Sequence, residues 1–100
     1  MLHFPRYIRL GGHVIDVVRK KDLIKDDNAF GTWDDELLEI TIDARLGPAL
    51  TWETFWHEVL EAINTATDTN LDHSIIQTHS LLLHQVFMSL FEKAQAMPDE

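Results

Sequence analysis

The segment Trp56-His57-Glu58-Val59-Leu60-Glu61 holds the residue types from which chemistry can be built. An apolar period of about 3.6 runs through it, so it reads as helix, and residues four apart on a helix share a face. The side chains of His57 and Glu61 can therefore converge on one point. An imidazole nitrogen and a carboxylate oxygen both bind divalent ions such as zinc, at roughly 2.0 to 2.2 Å. Glu58 stands about 100° further round the helix and flanks that point, where it could accept a proton from water. The plainer reading of the same residues is a solvated His–Glu pair on a helix surface.

The rest of the chain must supply a scaffold for that helix. Tyr7-Ile8-Arg9-Leu10 alternates, Gly11-Gly12 turns, and His13 to Val18 is β-branched and apolar, which predicts a hairpin. After a turn cluster at Asp26-Asp27-Asn28, residues 29–33 and 37–42 flank a polar turn at Asp34-Asp35-Glu36, which predicts a second antiparallel pair. Trp52, Phe55, Trp56, Val59, Ile63 and Ala66 then form a helical stripe, with Thr51 as its N-cap and Thr54 where a capping box would want Glu. A turn over 67–70 leads to a second helix capped by Asp72, bearing Ile75, Ile76, Leu82, Leu83, Val86, Leu90 and Phe91. Both stripes read as core, and the short connection predicts antiparallel packing. The expected fold class is α+β: a small antiparallel sheet of three to four strands packed against a two-helix hairpin. One domain over 1–96 is expected, with a frayed tail at 97–100.

Composition narrows the function classes. One hundred residues at 45% hydrophobic content suit one core. Cysteine is absent, which excludes disulfides and thiolate ligands. A net charge of −9 repels a phosphate backbone, and Arg19-Lys20-Lys21 reads as a solvated strand end, so no nucleic-acid partner is expected. The absence of a long apolar run leads to the expectation of a cytoplasmic protein with no membrane partner.

The His-Glu-x-x-Glu spacing is similar to the His-Glu-x-x-His helix of zinc peptidases, where two histidines bind the metal and the glutamate is the general base. The wider order adds to this: a glycine hairpin, an Ala-Phe-Gly strand, an Ile-Thr-Ile strand, the His57-Glu58 helix with Ala62-Ile63-Asn64, then Leu71-Asp72-His73 and Leu83-His84-Gln85-Val86-Phe87. Over roughly residues 7 to 91 the chain resembles the minimal zincin-like metallopeptidases of phages and prophages. That resemblance implies a metal-dependent peptidase or amide hydrolase with zinc as the first-choice ion, Glu58 as the catalytic base, and a peptide or protein as substrate. It also implies a host-cytoplasm setting. In the family's commoner form the third ligand is an acidic residue at the start of the next helix. Here Glu61 stands where the second histidine would be and His73 where the acidic residue would be, so the metal set becomes His57, Glu61 and His73.

Alternatives remain open at this level. A symmetric hairpin places His79, not His73, opposite Glu61. His3, His13 and His84 read as structural or solvated. Two histidines and a carboxylate also suit iron or manganese. Three ligands could simply tie the helices together in a non-catalytic interaction protein that binds a host protein. The segment Leu37 to Ile42 is expected as an edge strand for peptide binding. Tyr7, the sole tyrosine, lies far from the helix in sequence, which leaves the stabiliser of a developing oxyanion unassigned.

Overall fold

In a computed structural model the described residues are 4–24, 29–67 and 70–90. His3, the 26–28 turn cluster, Asp68-Thr69, Phe91 and the 97–100 tail lie outside them. Four strands, β1 (Tyr7–Leu10), β2 (His13–Lys20), β3 (Gly31–Asp34) and β4 (Glu39–Asp43), precede two helices, α1 (Pro48–Thr67) and α2 (His73–Ser89). The fold is α+β.

The β1–β2 hairpin turns at Gly11 and Gly12, with φ of 58° and 82°. Two consecutive positive φ values match the twist of the flanking strands and are open to glycine at little steric cost. The β3–β4 hairpin turns on Asp34, whose Oδ1 accepts the N–H groups of Glu36 (2.9 Å) and Leu37 (3.0 Å). Strand order is β1-β2-β4-β3, and β2 pairs with β4 in parallel while the two hairpins are antiparallel. The sheet is therefore mixed where an antiparallel one was expected. Ile40, Thr41, Ile42 and Asp43 are all buried, so β4 takes an inside position with a neighbour on each side. That placement corrects the expectation that 37–42 forms an edge: the edges are β1 and β3.

Helix α1 begins a turn before the expected cap. Pro48, which lacks an N–H to leave unpaired, occupies its first position. The Thr51 hydroxyl sits inside the first turn and donates to the carbonyl of Gly47 (2.8 Å). Asp72 does stand at the N-cap of α2 in extended conformation, with no side-chain capping bond.

Phe55, Val59 and Ala62 of α1 pack on Ile15, Val17, Ile40 and Ile42 of the sheet, forming the core. Helix α2 rests on α1 and makes no comparable contact with the sheet. It is held by buried Ile76, Ser80 and His84, and by the Phe87 ring, 4.7 Å from that of Trp52 and 5.2 Å from that of Trp56. The expectation that its whole apolar stripe is core is corrected here. Ile75, Leu82, Leu83, Val86 and Leu90 are exposed, because α1 alone takes the sheet face and leaves α2 a single neighbour.

Candidate metal centre

On α1, residues 57, 61 and 64 follow one another at i, i+4 and i+7, so His57, Glu61 and Asn64 project from one face. The chain leaving α1 then folds back along that face. Asn70 takes a left-handed conformation (φ 58°), and the N–H of Leu71 donates to the side-chain carbonyl of Asn64 at 2.7 Å. Two residues later, at the first turn of α2, His73 reaches Glu61.

Oε2 of Glu61 lies 3.5 Å from Nε2 of His57 and 3.5 Å from Nδ1 of His73. The two imidazole rings meet edge to face with centroids 5.0 Å apart. The three donor atoms fall within 4.8 Å of one another, a group able to hold a metal ion. Two ligand atoms on one tetrahedral ion, each about 2.0 to 2.1 Å from it, stand roughly 3.4 Å apart. A good N–H···O bond would instead close to about 2.9 Å. The two 3.5 Å spacings lie near the tetrahedral value, and the two imidazole nitrogens, within 4.8 Å of each other, would have to close further to share one ion. Removal from water lowers the His57 pKa, a trend that Glu61 opposes and His73 reinforces. Burial therefore favours the neutral imidazole that a metal requires.

His79 does not join the group. Its Nδ1 lies 2.8 Å from the carbonyl of Ile75, which can only accept, so that nitrogen carries the proton and the ring folds along its own helix. His84 is buried between the helices, and His13 is exposed on β2. Tyr7 is exposed on the edge strand β1.

A cavity of about 430 Å³ opens beside the group, bounded by Phe30 and Gly31 on one wall and by Glu53, His57, Glu58, His73 and Gln77 on the other. Glu58 is 7% exposed, and burial, aided by the charge of Glu61, pushes its pKa up to about 7. Strand β3 passes directly above it: a Cβ at Gly31 would lie 2.6 Å from Thr54 Cγ2 and 3.2 Å from Glu58 Cγ. Glycine at 31 is what lets the edge strand lie this close to the helix. The sequence marks no task for Asn64, Gly31 or Gln77, because the loop bond, the strand–helix approach and the place in the cavity wall that they respectively supply leave no local pattern.

No protein-family model, curated protein or solved structure matches the chain. Among the described residues no helix is long and apolar enough to cross a membrane.

Proposed function

We propose that the chain is a metal-dependent peptidase or amide hydrolase of the minimal zincin-like kind. The observation that carries this reading is the placing of Glu61 Oε2 3.5 Å from both imidazole nitrogens, beside a cavity containing a buried carboxylate. His57, Glu61 and His73 would hold the ion, with zinc the first candidate and iron or manganese compatible with the same donors. Such an ion, when bound, supplies Lewis-acid polarisation of a carbonyl and eases deprotonation of water.

The remaining steps belong to the chain itself. Glu58, poised near neutrality, takes a proton from the attacking water and delivers it to the leaving amine. An extended peptide lies along β3, the edge strand above the helix, in place of the 37–42 edge expected from sequence. Gln77, one turn after His73 on α2, offers the cavity a neutral hydrogen-bond donor for the carbonyl oxygen. Trp52 and Trp56 are engaged in an aromatic cluster with Phe4, Phe55 and Phe87, so they present no open patch at this end of α1. That distribution favours a cleft enzyme over a tryptophan-centred binding surface.

Elemental analysis of protein purified without chelator or His-tag tests the site. About one metal per chain, lost in Glu61→Ala and in His73→Ala, is the expected result. A peptidase assay on the loaded protein, with Glu58→Gln as control, then separates catalysis from structural binding. Full metal content with no Glu58-dependent hydrolysis would leave the ion as a clasp between α1 and α2.

A further inference from the structure

The longest charge-free stretch of the chain runs from residue 73 to residue 91, between Asp72 and Glu92, in a protein with a net charge of −9. It includes the whole of α2. On that helix, Ile76, Ser80, His84 and Phe87 face α1, whereas Ile75, Leu82, Val86 and Leu90 lie round towards solvent, 41%, 51%, 59% and 58% exposed. With His79 and Leu83 they fall at successive steps of four, three, one, three and four, a stripe about 100° wide that reads the same in both directions and suits a helix–helix seam. His79 has its Nδ1 bonded to the Ile75 carbonyl, which leaves its ring face free to pack.

We propose that this stripe is the interface of a homodimer, formed by two α2 helices packed antiparallel across a two-fold axis. The stripe is complementary to itself. An axis between Leu82 and Leu83 sets Ile75 against Leu90 of the second copy, His79 against Val86, and Leu82 against Leu83, so that every position meets an apolar or neutral partner. Two α1–α2 hairpins joined in this way form a layer of four helices, with the α2 pair inside and each α1 still on its own sheet.

The symmetry of the stripe favours a second copy, and charge limits where such copies can meet. Two chains of −9 repel over most of their surfaces, and a face without ionised groups is where copies can meet with least opposition. An anionic membrane is disfavoured by the net charge and by the lack of any Lys or Arg on the helix. Residues 92–100 offer only Ala94, Ala96, Met97 and Pro98 as apolar groups, too few to cover the stripe. One helix pair buries less than the roughly 800 Å² per partner of a standard interface, so a Kd on the order of 1–100 µM is expected.

Sedimentation equilibrium across that concentration range is the test, with Leu82→Glu as the disrupting variant and Val14→Glu, on the exposed sheet face, as control. The expected result is a dimer that tightens as salt screens the net charge, is weakened at least tenfold by Leu82→Glu, and is unchanged by Val14→Glu. Because the chain has no cysteine, Leu82→Cys adds a readout that does not depend on the glutamate variant folding. It should form a disulfide-linked dimer under mild oxidation, whereas Val14→Cys should not. A monomer throughout the range, or a dimer that tolerates Leu82→Glu without cross-linking through Leu82→Cys, overturns the proposal. The monomer outcome would point to a different protein as the partner of α2.

Discussion

The side-chain carbonyl of Asn64 accepts the backbone N–H of Leu71 at 2.7 Å, and through that bond the last turns of α1 set where α2 begins. His73 is 72% exposed at its side chain, and the path of this loop brings it beside Glu61 and edge to face with the His57 ring. Replacing Asn64 with Ala removes the acceptor without touching a ligand. Metal affinity, measured by competition with a chromophoric chelator, should fall about tenfold, the usual scale for losing a ligand-orienting contact. Asn64→Asp keeps an acceptor oxygen and should recover most of it. Unchanged affinity in Asn64→Ala would mean that the loop positions His73 without this bond.

Gly31 makes a separate prediction about the wall opposite. A methyl group there meets Thr54 Cγ2 at 2.6 Å, which forces a shift of strand or helix. Gly31→Ala should cost about 1 to 3 kcal/mol in urea denaturation, the range for overpacking a tight contact. Thr54→Ser removes the clashing methyl, so the double variant should regain part of that loss. The recovery stays partial because Glu58 Cγ and the Thr41 carbonyl still approach to 3.2 Å. A double variant no better than Gly31→Ala would show that the strain lies elsewhere.

Asp43 gives the fold an acid-sensitive joint. Fully buried at the end of β4, it accepts the N–H of Ile24 through Oδ2 and that of Arg45 through Oδ1, both at 2.8 Å. These backbone bonds, Ile24 foremost, hold its pKa below the usual 3.8. A depressed carboxylate contributes stability that is present above its unfolded pKa and lost as pH falls through the folded value. Asn at 43 turns one acceptor into a donor facing an N–H. Asp43→Asn should therefore lower Tm by several degrees at pH 7, with the gap narrowing below about pH 4 as the native carboxylate protonates. A gap independent of pH would assign the effect to packing.

What the sequence showed and what it hid follow the range of the interactions concerned. Gly11-Gly12 and Asp34 mark their hairpins through local backbone chemistry, and both turns lie where the residues predicted them. The i,i+4 spacing of His57 and Glu61 was legible for the same reason. The inside position of β4 was not, because its partner β2 lies some twenty residues earlier and the parallel pairing leaves no local mark. The apolar residues of α2 carry a helical period whether α1 or a second copy covers them, so periodicity predicted burial where the single chain leaves exposure.

Glu58 closes the set with a prediction about the metal-free chain. Its carboxylate is buried beneath β3, and its pKa stands at about 7 against an ordinary 4.5. Between those values the folded state holds a proton that the unfolded state has released, so stability declines as pH rises through that window and stays low above it. The shift corresponds to about 3 kcal/mol at pH 8, the cost of keeping an ionised base in a site that desolvates it. Glu58→Gln removes the charge and preserves the shape. Without metal it should gain up to about that much stability at pH 8 in urea titration, and almost none at pH 4.5. Saturating zinc should shrink the gain, since a nearby cation compensates the carboxylate in the native protein. An equal gain at both pH values would show that Glu58 is not held ionised against its surroundings, and would remove the reason for casting it as the base.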